Sequence, residues 1–394
     1  MIRRTPLPQL LLLNIRHRWR RLLIFLSLLY LLQKYNYQKH PFTPKPHEIT
    51  ALSLDYERTH LSPSTSTPHR TLLPHPEASA LCHAHSWRPW PYRSGPHQRR
   101  VYDLFMLNDE LDWLEIRLHT LAPYVDYFVI LESPVTFTKQ PKPLVLKENW
   151  ARFEKWHDMI IYKEVEGMPV GARRAWDLED YQRNSMLLQG VASVEGTERA
   201  ARWGDVLVVS DVDEIPRPIS VVLLRECETQ KRVTVRSAFY YYGFQYKHMG
   251  REWSHPQATV YQGAKTILPT DLRNGEGRKL DFFWTWWDKA ELWNGGWHCS
   301  TCFKTVDEVL SKLRSFSHVG MNQEPFRDPQ RIVDRVRKGL DLWDRKGEIY
   351  EEVHANEDIP EYLKEDRQRW AFLLDRSGSN AAFQDYDGGE ASGD

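Results

Sequence analysis

The chain has 394 residues, with 53 Lys+Arg balanced by 53 Asp+Glu, 16 Trp and four Cys. That length gives about two domains, or one large domain with appendages. Zero net charge excludes a general nucleic-acid binder, which needs a basic excess to meet phosphate. So few Cys exclude a disulfide scaffold and a multi-zinc protein. The Trp load points instead to grooves for sugars or peptides.

From Met1 to His47 every charged side chain is basic, and Arg3, Arg4, Arg16, Arg18, Arg20 and Arg21 precede the apolar run Leu22 to Leu32 (LLIFLSLLYLL). The run is shorter than the roughly 20 residues of a full span, but Tyr35 and Tyr37 extend it into an interface belt. No small-x-small cleavage site follows. Residues 1–21 therefore read as a basic cytosolic tail and 22–37 as an uncleaved membrane anchor; a cleaved signal peptide and an amphipathic surface helix are the competing readings. Residues 38–98 are rich in Pro, His, Ser and Thr and read as an extended stem, in which Cys82 is either free or paired. The acidic, Gly-containing end, 377–394, reads as disordered. Residues 99–376 are left for one folded unit.

Within that unit strands and helices alternate. Val101–Leu107 (VYDLFML) reads as a buried strand. Asn108 or Asp109 then starts a helix with Leu111, Leu114, Leu118 and Leu121 on one face. Val125–Leu131 and Met159–Lys163 are further strands, Trp176–Val194 a long helix, and Asp205–Ser210 (DVLVVS) a fourth strand. A helix over Pro218–Cys227, aromatic strands over Val233–Tyr242 and Asp281–Trp287, and helices over Val306–Phe316 and Pro329–Leu340 follow. This alternation predicts an α/β fold with a mostly parallel sheet and helices on both faces. Ligands of such sheets bind outside the carboxyl ends of the strands.

Asp211-Val212-Asp213, with Glu214 and Pro216 behind it, leaves the fourth strand at that end. Two short carboxylates in this place can converge on Mg²⁺ or Mn²⁺, hard cations that share oxygen ligands with substrate phosphates. A nucleotide-diphosphate sugar is such a substrate, and the metal would offset charge on its leaving diphosphate. A solvated acidic turn is the plain alternative.

The stretch VYDLFMLNDELDWLEIRLHTLAPYVDYFVILESPVTFTKQPKPL, then GDVLVVSDVDEIPRP, then GWHCSTCF, resembles glycosyltransferase family 17 in the order and spacing of its blocks. The resemblance implies a GT-A-type nucleotide-diphospho-sugar fold and UDP-N-acetylglucosamine as donor. It implies an inverting transfer to a mannose of an N-glycan or related glycan in the secretory pathway, and gives Asp211 and Asp213 the metal-diphosphate role. Its match also covers Asn108, Glu110, Glu115, Arg117 and Glu132. A transferase using another nucleotide sugar, or a luminal glycan-binding protein without catalysis, are the alternatives.

Other residues carry narrower expectations. Glu132, ending the second strand, lies where a uridine would be held, and Arg183-Asn184, on the long helix, can reach diphosphate or base. His298, after Gly295-Gly296-Trp297, is a further metal or phosphate ligand, or else a core histidine. Cys299 and Cys302 form C-x-x-C. Without a second pair this is no structural zinc site; an oxidising lumen favours a local disulfide, or a link from one of them to Cys227. Trp284, Trp286, Trp287, Trp293 and Trp297 either stack on acceptor sugars or fill the core. An acceptor base is open among Glu214, Asp288, Glu291, Asp307 and Glu308.

Overall fold

The computed structural model describes residues 19–30, 54–61, 70–93, 98–169, 171, 174–275, 289–315 and 319–387. The chain divides into two units, Met1–Lys45 and Pro46–Asp394. In the first, residues 19–30 form a helix whose side chains are exposed. No helix among the described residues is long and apolar enough to cross a membrane, and positions 31–37 of the expected anchor lie outside them.

Among the described residues the second unit holds twelve strands: β1 (Arg88–Pro89), β2 (Val101–Leu107), β3 (Tyr127–Glu132), β4 (Ile160–Glu164), β5 (Val206–Asp211), β6 (Glu214–Pro216), β7 (Cys227–Glu228), β8 (Arg232–Tyr241), β9 (Gly243–His248), β10 (Gln257–Val260), β11 (Lys289–Ser300) and β12 (Tyr350–Glu352). Its main helices are α1 (His75–Ala84), α2 (Leu111–Leu121), α3 (Ala175–Ser185), α4 (Pro218–Glu226), α5 (Pro269–Asn274), α6 (Val306–Ser315) and α7 (Pro329–Arg337). Strands β1 and β7 pair with each other, and the other ten form one sheet in the order β12-β9-β8-β10-β5-β2-β3-β4, with β11 joining β8 and β6.

The sheet is mixed rather than mostly parallel. β4, β3, β2 and β5 are parallel, and β11 lies parallel to β8. β10, however, runs antiparallel to both β5 and β8, and β9 is antiparallel to β8 and β12. The chain turns back at once after β8, where Tyr242 takes a φ of 66°, and so short a connection permits only antiparallel pairing.

Helices do cover both faces. Strand side chains alternate between them: Val101, Phe105, Phe128, Ile130 and Val208 pack under α2 and α4. Tyr102, Leu104, Val129, Leu131 and Val209 pack with Met186, Leu187 and Val191, in the helical turns that continue α3, and with Leu272 of α5. A third cluster joins Val306, Val309 and Leu313 of α6 to Ile332, Val333 and Val336 of α7.

Both flanks of the expected 99–376 unit are more ordered than their composition suggests. Within the expected stem, residues 54–60 and α1 are helical, and Leu61, Cys82 and Trp87 are buried in the core. Cys82 is disulfide-bonded to Cys227, which follows α4. Within the expected tail, Ala381 and Phe383 are buried with α6 and α7, and Asp385 accepts from the backbone N–H groups of Val306 and Asp307 at 2.7 and 3.0 Å. A short apolar motif inside a polar stretch suffices for this, and averaging over the stretch hides it. The Cys82–Cys227 link closes a loop of 145 residues, which restricts the unfolded chain by about 3–5 kcal/mol. Cys82→Ser is therefore expected to lower stability by about that amount in denaturant titration; an unchanged midpoint would show that packing alone holds α1.

Gly295 and Gly296 lie inside β11 and are not a flexible pair. A Cβ on Gly296 would come within 2.6 Å of Ser237 Oγ and 2.7 Å of the Ile215 carbonyl, and one on Gly295 within 2.8 Å of Val235. Only glycine lets β11 sit this close to β6 and β8, and that approach carries His298 to the site.

Candidate active site

Strand β2 lies between β3 and β5. The chain moves from β2 out through β3 and β4, then returns to β5 on the other side. The carboxyl ends of β2 and β5 therefore flank a topological switch point, the usual ligand crevice of an open α/β sheet. Asn108-Asp109-Glu110 leaves one side of it and Asp211-Val212-Asp213 the other.

Arg117 of α2 fixes the second loop from below. Its guanidinium is fully buried and paired with Asp103 of β2. It also donates to the carbonyls of Asp211, Val212 and Glu214 at 3.1, 3.3 and 2.8 Å. The Asp211 N–H donates to Glu214 Oε2 at 2.8 Å and closes the turn.

Held this way, the two aspartates engage different partners. Asp211 Oδ1 accepts from Arg183 Nη1 at 2.9 Å and Oδ2 from Arg273 Nη2 at 2.7 Å. Burial alone would raise the Asp211 carboxyl; the two guanidiniums outweigh it and hold the group below its ordinary value. Asp213 has Oδ1 3.8 Å from His298 Nδ1 and Oδ2 3.7 Å from Lys312 Nζ. The His298 ring packs within 20° of parallel to both Phe239 and Trp253, at centroid distances of 5.1 and 4.8 Å, and those two rings also touch each other at 5.5 Å. Its Nδ1 is buried and has no hydrogen-bond partner among the described residues.

Glu214 is fully buried and fully engaged. Arg273 donates to both its oxygens at 2.8 Å, and Trp253 Nε1 donates to Oε1 at 2.7 Å. Burial opposes its ionisation, but the Arg273 charge and hydrogen bonds hold it well below the usual carboxylate range. This is a carboxylate that positions Arg273 and Trp253, with no lone pair turned to a reactant. Glu132 is likewise buried. Its oxygens accept from the N–H groups of Leu146 and Lys147 at 2.9 and 3.2 Å and from Tyr162 Oη at 3.0 Å, so it anchors a helical turn rather than facing a nucleotide. Asn184 Oδ1 accepts from Thr270 N at 3.0 Å and ties α3 to α5. Arg183, buried, meets Asp211 and Glu179.

Of the other carboxylates open as bases, Glu291 pairs with Arg236, far along β11 from His298. Asp307 is exposed beside Arg314, and Glu308 accepts from the N–H groups of Lys304 and Thr305 at the start of α6. Asp288, Trp284, Trp286 and Trp287 lie outside the described residues. Trp297 is buried, with Arg217 4.3 Å above its ring; Trp293 lies 5.3 Å from Arg236. Cys299 and Cys302 form a disulfide directly after His298.

Among the described residues no three His, Cys, Asp or Glu gather as a metal cluster, and both oxygens of Asp211 are occupied by arginine. Asp213 and His298 fit a divalent ion: one is a carboxylate without a short bond, the other presents an orphaned ring nitrogen beside it. Glu110 adds to the local negative charge. Its carboxyl is pushed up to about 7 by burial and by the charges of Asp109 and Asp213, against the pull of Lys312, the mark of an acidic cluster short of positive charge.

Arg117, Arg273, Trp253 and Lys312 complete this arrangement. Arg117 lies within the stretch that resembles family 17; isolated charged or aromatic positions such as the other three give no pattern by themselves.

A mixed α/β sheet with an acidic loop at its switch point is an architecture that binds nucleotides and their sugars. The model of glycosyltransferase family 17 matches residues 54–379, and the chain belongs to that family. Among curated proteins it is similar to the human beta-1,4-mannosyl-glycoprotein 4-beta-N-acetylglucosaminyltransferase, 29% identical over 304 residues, covering 70% of this chain and 55% of the relative. Proteins of the same name from rat and mouse are each 28% identical over 304 residues, with the same shares covered. The chain thus spans about half the length of the curated relatives it matches.

Proposed function

We propose that this chain is a metal-dependent, inverting glycosyltransferase that moves N-acetylglucosamine from UDP-N-acetylglucosamine to a mannose of an N-glycan or related glycan. Family membership and the printed activity of the relatives support the transfer. The observation that carries the metal-dependent form is the Asp213–His298 pair, 3.8 Å apart at the switch point with the His298 nitrogen unpartnered.

Asp213 and His298 would hold Mn²⁺ or Mg²⁺, and the ion would supply positive charge for the leaving diphosphate. The chain's own part is to fix those two ligands. Phe239 and Trp253 pack against the imidazole and against each other, and Trp253 is itself anchored on Glu214. Arg117 holds the backbone from which Asp213 projects. Arg183 and Arg273 set Asp211 as a polarised acceptor at the rim, suited to the hydroxyls of a ribose or sugar. Such outer contacts orient ligands and tune their basicity.

Incubation of the purified chain with UDP-N-acetylglucosamine and mannosyl glycans is expected to release UDP and yield a β-linked product, stopped by EDTA and restored by Mn²⁺ or Mg²⁺. A panel of other nucleotide sugars run alongside distinguishes the donor. Absence of transfer from any donor, with the fold intact, would sink the reading. The compartment we propose is the secretory pathway, specifically the Golgi, with a type II anchor and a luminal catalytic unit. All four cysteines are in disulfides, which suits an oxidising lumen.

A further inference from the structure

Among the described residues, besides Arg117 beneath the loop, the cationic side chains of Arg183, Arg273, Lys142 and Lys312 approach the switch point, and three of these four are already committed. Arg183 and Arg273 each bind two carboxylates. Lys142 Nζ donates to the Asn108 and Pro143 carbonyls at 2.8 and 3.3 Å. The fourth, Lys312, is different.

Helix α6 buries Val306, Val309 and Leu313 against α7, which leaves Ser311 and Lys312 turned to the site. Ser311 Oγ donates to Asp109 Oδ2 at 3.0 Å and pins the helix to the loop after β2. This sets Lys312 over the Phe303 ring at 5.3 Å, with its side chain 26% exposed and its ammonium 3.7 Å from Asp213. That distance is too long for a direct hydrogen bond, and Lys312 makes none among the described residues. It is the counter-charge for Asp213, as a long ion pair, and for Glu110, with no hydrogen bond to either among the described residues.

We propose that Lys312 is the residue that binds the diphosphate of the nucleotide donor, a role that rests on the donor reading given above. An ammonium on a four-carbon stem is a mobile point charge that serves phosphate oxygens well. In the free chain it stands beside Asp213, where a divalent ion would also be drawn. A cation at Asp213 repels the ammonium, and an arriving diphosphate attracts it. Lys312 thus opposes metal binding alone and favours metal and diphosphate together.

The two effects have opposite signs, so titration calorimetry on the folded chain separates them. Relative to the parent, Lys312→Met is expected to weaken UDP binding in the presence of Mn²⁺ by about tenfold or more, the usual scale of a charge-assisted contact. It is expected to leave uridine binding within about twofold, and to tighten binding of Mn²⁺ alone, because the competing charge is gone. Lys312→Arg, which keeps the charge, is expected to hold UDP affinity within about threefold. UDP affinity unchanged in Lys312→Met overturns the assignment; equal losses for UDP and uridine also overturn it, since they mark a structural role. If the parent itself binds UDP no better than uridine with Mn²⁺ present, the donor reading fails. If the parent prefers UDP and Lys312→Met keeps that preference, only the Lys312 assignment falls.

Discussion

Asp213→Ala is expected to lower sugar transfer at least about 100-fold, because metal-assisted stabilisation of a leaving group is typically worth several kcal/mol. Its melting temperature should stay close to that of the parent, since among the described residues the Asp213 carboxylate makes only the two long contacts to His298 and Lys312. Asp211→Ala should behave differently. Breaking a fully buried ion pair commonly costs about 3–5 kcal/mol; the Asp211 side chain is 37% exposed, and Arg183 and Arg273 keep Glu179 and Glu214, so the loss here should cost about 1–3 kcal/mol. Activity and stability should therefore fall together for Asp211 and separate for Asp213. The measurements are UDP release with and without EDTA, and thermal melting of both variants. Near-parental, EDTA-insensitive transfer by Asp213→Ala would remove the metal assignment, and a stable Asp211→Ala would show that the arginines are satisfied without it.

The second large effect is expected at Arg117, which touches no reactant. Arg117→Met strands the buried Asp103 carboxylate and frees the three carbonyls of the Asp211–Glu214 loop. The cost is about 3–5 kcal/mol by the same reasoning. Adding Asp103→Leu removes the stranded charge and should restore most of that stability. It does not restore the hold on the loop, so transfer by the double variant should remain depressed while its melting recovers. Recovery of both would make the pair a matter of packing only.

The parallel half of the sheet was legible because β2, β3 and β5 are continuous apolar runs bounded by turns, and the helices between them carry a helical period. The antiparallel half was much less so. β9 and β10 are short, half-polar strands whose identity comes from their neighbours, and the Gly-Gly pair in β11 reads locally as a break although the sheet requires it. The same limit applies at the site. D-x-D at the end of an apolar strand marked the loop from which the proposed site is built, and Asp213 and His298 lie 3.8 Å apart. Sequence spacing suggested that Asp211 would join them, but side-chain direction in a tight turn is decided by partners such as Arg273, 62 residues away. Glu132 and Glu214 were visible as carboxylates in significant places; their burial and complete hydrogen bonding were not.

The stacking of His298 has a spectroscopic consequence. An imidazole packed within about 20° of parallel to both a phenyl and an indole ring has its carbon-bound protons within reach of two ring currents. Their resonances should be displaced from those of the other histidines, so that one residue among 16 identifies itself without labelling. Because its Nδ1 faces Asp213, that displaced signal reports occupancy of the crevice directly: a diamagnetic ion would shift it, and Mn²⁺ would broaden it beyond detection, whether or not any sugar is transferred.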